Sequence, residues 1–156
     1  MPRDKKDTLS ITFRIASLDD LSIIHAIRRD AILGMASEIA LSDRQQWADK
    51  RSPEYFRDRV VAGNIVIANV NGDNIGWASS FKEWITGLYV VPLWSSRGIG
   101  RMIMSKLETE IVKRGYTNAK LASSPNATGF YTKLGYAVVG LPNDEGAISM
   151  EKRLSI

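Results

Sequence analysis

A β-like run over residues 84–91 ends at Pro92, and Ser95-Ser96-Arg97-Gly98-Ile99-Gly100 then opens a helical pattern that reaches Arg114. No other stretch constrains the fold so tightly. Ile99, Ile103, Leu107 and Ile111 share one face of that helix, and Gly115 is placed to close it. An amphipathic helix that follows one strand and leads to another, over residues 120–122, must lie back across a sheet to bury its apolar face. The unit is strand, helix, strand, with glycines at its first joint.

The remaining elements extend this into an α/β sandwich. Residues 1–10 read as a loose tail and 11–156 as a single domain. A short β-like run, 12–15, precedes Ser17-Leu18-Asp19-Asp20, a helix start with Ser17 capping and acids in the first turn. Leu21, Ile24, Ile27, Ala31 and Ile32 then form a helical stripe, with Gly34 as its stop. Ser42-Asp43-Arg44-Gln45 matches a capping box for a second helix through Trp47. Ser52-Pro53-Glu54 starts a third, with proline where its missing N–H is harmless. The run 65–70, the turn residues Asn71-Gly72-Asp73-Asn74 and the run 75–81 predict a hairpin. A short helix over 128–134 and a last strand over 148–154 complete the chain. The expected fold is a mixed, mostly antiparallel central sheet flanked by helices.

Composition removes whole classes of chemistry. The 156 residues include no cysteine, which excludes disulfides, thiolate nucleophiles, iron–sulfur clusters and cysteine zinc sites. His25 is the only histidine, so no histidine-rich metal site exists and no metal is expected. Residues 1–7 are polar and charged, without the apolar segment of a signal peptide. The longest apolar runs, 65–70 and 88–94, fall short of the ~20 residues that cross a membrane. A soluble, cytoplasmic protein without a membrane partner is the expectation. The net charge is +4, and residues 97–120 alone carry six Lys and Arg against two Glu. That excess fits a solvated helix face or an anion site. Nucleic acid is not an expected partner, since no aromatic ladder interleaves the basic residues.

The glycine turn favours an anion site. Glycines allow close approach of the backbone, and the first turn of a helix offers free N–H groups and a favourable dipole to phosphate. Arg97 and Arg101 flank the turn. A dinucleotide fingerprint would need glycine where Ile103 stands, and a P-loop would need Gly-Lys-Ser/Thr where Gly100-Arg101-Met102 stands. Neither motif is present. Leu88-Tyr89-Val90-Val91-Pro92 through Arg97-Gly98-Ile99-Gly100 instead resembles the acyl-CoA motif of the GNAT superfamily of N-acetyltransferases. Residues 123–136, with Asn126 ahead of Phe130-Tyr131-Thr132-Lys133-Leu134-Gly135-Tyr136, resemble that family's second signature, in the right order and joined by the right helix.

The resemblance implies a coenzyme A site and acetyl-CoA as cosubstrate. Ser96 and the backbone amides from Arg97 through Gly98, Ile99, Gly100 and Arg101 to Met102 would hold the pyrophosphate. A splay of the central strand near Leu88, Tyr89 and Val90 would pair with pantetheine, and an amide close to Val90 would polarise the thioester carbonyl. Asn126 would touch the pantetheine arm, and Phe130, counted with the cofactor site, would pack inward. Tyr131 would sit beside the sulfur as the acid, since a phenol with a pKa near ~10 stays protonated at neutral pH. Ser95 departs from the pattern, standing where family members carry Gln or Arg.

Other residues are less directed. Glu38, Asp43 and Glu83 are the carboxylates nearest the expected acceptor cleft, and a water chain is the alternative base. His25 reads as a half-exposed structural residue. Trp47, Tyr55, Trp77 and Trp84 are candidates for the acceptor pocket; Trp84 and Thr86 are favoured because strand alternation puts them on one face with Leu88 and Val90. The function implied is direct acetyl transfer to an amine, with a non-catalytic acyl-CoA-binding sensor or interaction module as the alternative. A homodimer stays open, as does the identity of the amine.

Overall fold

The run 65–70 does not alternate with polar residues because both of its faces are covered. Ile65 and Ile67 turn toward one layer of helices, Val66, Ala68 and Val70 toward the other, and all five are buried. They form one strand of a seven-stranded sheet in the computed structural model, which describes residues 10–34 and 39–154. Apart from Ser10, the expected tail lies outside the described residues.

In chain order the strands are β1 (Ile11–Ile15), β2 (Ile65–Val70), β3 (Asp73–Phe81), β4 (Trp84–Val90), β5 (Asn118–Ser123), β6 (Ala137–Val138) and β7 (Ile148–Arg153). The helices are α1 (Leu21–Leu33), α2 (Leu41–Asp49), α3 (Arg57–Val61), α4 (Ile99–Lys113) and α5 (Thr128–Lys133). Across the sheet the strands run β1-β2-β3-β4-β5-β7-β6. Every pairing is antiparallel except β4 with β5. The two-residue β6 has no counterpart in the sequence pattern, because so short a strand carries no period.

The helix α4 sets Ile99, Ile103, Met104, Leu107 and Ile111, all buried, against Val66, Ala68, Ile75, Ala78 and Ile85. On the opposite face Leu21, Ile24 and Ile27 of α1, with Phe56 and Val60, cover Ile65, Ile67 and Trp77. The Trp77 ring is wholly buried, its Nε1–H donating to the Ile24 carbonyl at 2.9 Å and its centroid 5.3 Å from that of Phe56. Tyr55 packs edge-on against Phe56 at 5.0 Å, with the Arg51 guanidinium 4.3 Å from its ring. Both aromatics are therefore core or surface packing, not acceptor-pocket residues. His25 is half-buried, and its Nε2–H donates to the Arg51 carbonyl at 2.9 Å.

Two helix boundaries need comment. The second helix begins at Leu41 with Ala40 as its cap, because the Arg44 N–H bonds the Ala40 carbonyl at 3.0 Å. Ser42 is thus inside the first turn, and the capping box expected there does not form. Helix α1 ends at Gly34 as expected, but with an ordinary φ of −86°. The reason for glycine is space: a Cβ at Gly34 would overlap the Pro92 ring. That contact seats the end of α1 against the link that follows β4.

The entry to α1 is fixed by Asp20, which is buried. It accepts two bonds from Arg14 of β1, at 2.7 and 2.8 Å, and one from the Ser17 N–H at 2.8 Å. The Arg14 guanidinium, together with the Ser17 N–H, outweighs burial and holds the Asp20 carboxyl at about 2. A carboxyl depressed in the folded state adds stability above its ordinary pKa of about 3.9 and loses it as pH falls toward 2. Arg14 is 43% exposed, so water screens part of the effect. Asp20→Asn is expected to lower stability at pH 7 by about 1–2 kcal/mol, with the gap from wild type closing between pH 4 and pH 2 in denaturant titrations. A gap that persists unchanged at pH 2 would show that the charge is not the source.

Candidate active site

Strand β4 pairs with β5 at only two positions, Trp84 with Lys120 and Ile85 with Leu121. The cause lies on its other edge. Ser79 of β3 faces Gly87 and Ser80 faces Ile85, which leaves Thr86 as an extra residue in β4. A bulge of this kind bends the strand that carries it. The Thr86 and Ser79 hydroxyls lie 2.7 Å apart and fasten it. Beyond Ile85 the two strands diverge.

The bulge also resets which way side chains point. Ile85, Leu88 and Val90 pack toward α4, whereas Tyr89 packs on the α1 face. A Cβ on Gly87 would meet Ser79 and Trp77, so both Thr86 and Gly87 lie on the α1 face. The simple alternation that put Thr86 and Trp84 on one face with Leu88 and Val90 is therefore corrected. A glycine inside the strand, Gly87, was the available signal.

The divergence exposes backbone groups of known direction. Val91 N–H donates to the Ile75 carbonyl at 2.9 Å, so the 75/91 and 77/89 pairs exchange hydrogen bonds across β3 and β4. Leu88 and Val90, between them, turn their N–H and C=O toward the gap. The sequence pattern places Tyr89 beside them, but its backbone is engaged with Trp77 and only its ring reaches the cleft. A cavity of about 390 Å³ runs through the gap from Tyr131 and Ala127 to Trp47 and Trp84. A second, of about 320 Å³, is lined by Leu88, Val90, Ser96, Gly100, Asn126, Phe130 and Tyr131. The two share Leu88, Ala127 and Tyr131 as a common wall.

The second cavity opens at the start of α4. Gly98 caps this helix with φ +80°, a left-handed conformation that glycine takes without strain. Met102 N–H donates to the Gly98 carbonyl at 3.1 Å, so Ile99, Gly100 and Arg101 keep the three N–H groups ahead of the helical ladder. Met102, expected in this set, has its N–H committed to the helix. Ile99 is buried and offers only backbone, while Arg97 and Arg101 are exposed. The Arg97 guanidinium rests 5.1 Å from the Trp94 ring. Ser95, at the unusual position, bonds the Pro92 carbonyl at 2.8 Å and tightens the link. Gly100 also makes room for a neighbour, since a Cβ there would press on the Phe130 ring at 3.1 Å.

Helix α5 places Tyr131. Gly135, at φ +98°, ends the helix while its N–H reaches the Thr132 carbonyl at 3.0 Å and the Tyr136 N–H reaches the Tyr131 carbonyl at 3.1 Å. These two bonds are the Schellman pair, whose usual companion is a packing contact between the same two residues. Here it is ring on ring, Tyr131 and Tyr136 lying 6.0 Å apart. The Tyr136 hydroxyl then donates to Glu108 of α4 at 2.7 Å, and Lys152 adds a bond to the same carboxylate at 3.0 Å. Burial and Glu108 push the Tyr136 phenol up. Burial, with Tyr89 nearby, pushes that of Tyr131 up to about 12.

The family model of the acetyltransferase (GNAT) domain matches residues 24–152. The chain belongs to the GNAT acetyltransferase family. GCN5-related N-acetyltransferase 1, chloroplastic, of Arabidopsis thaliana is 31% identical over 72 residues, which is 46% of this chain and 34% of that protein. The match thus spans about a third of the length of this curated relative. A GCN5-related N-acetyltransferase structure from Rhodopseudomonas palustris superposes with a TM-score of 0.81 at 24% identity, over 98% of this chain and 100% of that one. The PaiA N-acetyltransferase of Thermoplasma acidophilum, solved with coenzyme A, gives 0.76 at 22% identity over 94% and 100%. These likenesses are of fold.

In this GNAT domain the two expected carboxylates among the described residues, Asp43 and Glu83, line neither cavity. Glu83 lies in the turn before β4, 3.9 Å from Lys120, and Asp43 is on the exposed side of α2. Glu38 lies outside the described residues. Among the described residues no carboxylate lines either cavity, and no cluster suited to a metal ion occurs. No described helix is long and apolar enough to cross a membrane. The lining residues Trp47, Leu121, Ala122, Ser123, Ser124 and Ala127 come from two segments; Trp47 was a candidate and 123–136 the second signature, whereas nothing in the sequence marked Leu121 and Ala122 as lining residues.

The link from Tyr136 to Glu108 ties α5 to α4, and through α5 it holds Tyr131. Tyr136→Phe removes a hydrogen bond to a charged, part-buried acceptor and is expected to lower stability by about 1.5–3 kcal/mol in urea titrations. A loss below about 0.5 kcal/mol would leave the ring contacts as the anchor.

Proposed function

We propose that this chain is an acetyl-CoA-dependent N-acetyltransferase that passes the acetyl group directly to an amine within a ternary complex. The observation that carries it is the set of N–H and C=O groups on Leu88 and Val90, turned into a gap that Tyr131 bounds. An extended arm bearing amides adds to such an edge as another strand does. The open N–H groups of Ile99, Gly100 and Arg101 and the α4 dipole suit a pyrophosphate, with Arg97 and Arg101 beside it. The residues present fit acetyl-CoA, which supplies an activated acetyl thioester. Coenzyme A bound to the T. acidophilum relative supports the same assignment.

Val90 N–H is the donor suited to the thioester oxygen, where negative charge builds during attack. The amine nitrogen bonds to the carbonyl carbon as the carbon–sulfur bond breaks, and Tyr131 donates to the departing sulfur. The proton shed by nitrogen returns to the phenol through water. With no cysteine in the chain, direct transfer needs no acetylated enzyme. Tyr131 at about 12 is a weak acid beside a thiol near ~8.5, so its larger contribution is the hydrogen bond to a forming thiolate. Tyr131→Phe is expected to lower kcat by about 10²-fold, the low end for general acid catalysis, with coenzyme A affinity little changed. A variant that keeps half its kcat would make Tyr131 a packing residue. The phenol stays protonated up to about pH 11, so the wild-type rate should show no alkaline fall from this group between pH 7 and 10.

Gly100→Glu brings negative charge to the phosphate-facing turn and bulk toward Phe130. Coenzyme A affinity is expected to fall by at least about tenfold in calorimetry, with melting temperature measured alongside to separate the two effects. Unchanged affinity would remove the pyrophosphate from this turn. Intersecting double-reciprocal plots are expected for acetyl-CoA and amine, and coenzyme A binding without turnover of any amine would favour a binding module instead.

A further inference from the structure

We propose that the acceptor is a primary amine carried on an aromatic or similarly flat apolar group, and that Trp47 and Trp84 receive that group. The proposal rests on the larger cavity being the site of transfer. That cavity lies at the splay of β4 from β5. Tyr131, Ala127 and Ser124 line it, and so do Trp47, Trp84 and Tyr89, of which Tyr89 packs on the α1 face. Three further aromatic residues in the wall that holds Tyr131 suit a ring.

The state of Trp84 is informative. It is 38% exposed, whereas Trp77 on the same sheet face is 0%. Among the described residues no other ring packs on Trp84, and the cation beside it is Lys120, with Nζ 5.9 Å from the ring centroid. An open indole face beside the gap is unused by the fold.

The charges around these rings narrow the choice. Lys120 faces Trp84, and the Arg28 guanidinium lies 5.8 Å from the Tyr89 ring. Lys120 is 3.9 Å from Glu83, while Arg28 donates to the Trp47 and Ala48 carbonyls and pairs with no carboxylate among the described residues. Among the described residues no carboxylate lines the cavity, so a polyamine or an aminoglycoside finds no anionic partner there for its several ammonium groups. A monoamine on a flat apolar ring is the acceptor that this lining suits.

The test is acetyl-CoA thiol release by the full chain, with tryptamine, 2-phenylethylamine, n-butylamine and spermidine as acceptors at one pH. Tryptamine is expected to exceed n-butylamine and spermidine by about tenfold or more in kcat/KM. Trp84→Ala should remove that preference through KM rather than kcat, and Trp84→Phe should restore most of it. Spermidine or n-butylamine used as well as tryptamine, or a preference that survives Trp84→Ala, would overturn the assignment. Calorimetric titration with acetyl-CoA separates the two levels. Tight cofactor binding without an aromatic preference defeats this proposal alone, and no acetyl-CoA binding defeats the transfer function with it.

Discussion

The structure depends on one local irregularity, the extra residue Thr86 in β4. Without it, β4 would run beside β5 for its whole length, and the N–H and C=O of Leu88 and Val90 would close onto that neighbour. The bulge, fastened by Thr86 and Ser79 at 2.7 Å, limits the parallel pairing to Trp84 and Ile85. An unpaired backbone edge in the middle of a sheet is costly unless water or a ligand meets it. Here it borders the two cavities. The rest of the fold keeps that gap open: buried layers on both faces of the sheet hold the strands, and α4 and α5 form the walls.

The two signatures are physically linked through the core. Gly100 at the head of α4 lets Phe130 approach, and Tyr136 after α5 bonds Glu108 further along the same helix. One helix therefore positions the open N–H groups of its first turn and, through contacts with Phe130 and Tyr136, the phenol of Tyr131. Burial raises that phenol and keeps it protonated, which is the state the proposed transfer needs beside a leaving sulfur. The phenol and the glycine turn are set by the same packing.

The other face of the sheet has a separate logic. Its core is aromatic, with Phe56, Trp77 and Tyr89 in contact, and it ends at the splay where Tyr89 emerges into the cavity. Arg28 joins this face to α2, bonding the Trp47 and Ala48 carbonyls while lying over Tyr89. The segment that carries Trp47 is thus held by a buried guanidinium. Trp47 and Tyr89 line the cavity from this side of the sheet, and the backbone edge of β4 borders the gap itself.

Much of this was legible in the residues alone, where the relevant physics is local. A glycine-led amphipathic helix after a strand, the turn at Asn71-Gly72 and the stripe from Leu21 to Ile32 are short-range patterns, and each formed where its period places it. The glycine turn that opens α4 and the ending of the Phe130-Tyr131 helix were legible as structure for the same reason, since a helix start and a Schellman ending are set within a few residues. Tertiary structure decided what depends on partners distant in sequence. Ser42 lost its cap because Ala40 accepted the first helical bond, and Thr86 changed face because Ser79 and Ser80 register against Gly87 and Ile85. Of four candidate aromatics, Trp77 and Tyr55 went to packing while Trp47 and Trp84 met at one cavity. Strand register and cavity walls are made by residues far apart in the chain, and no window along the sequence contains both sides of such a contact.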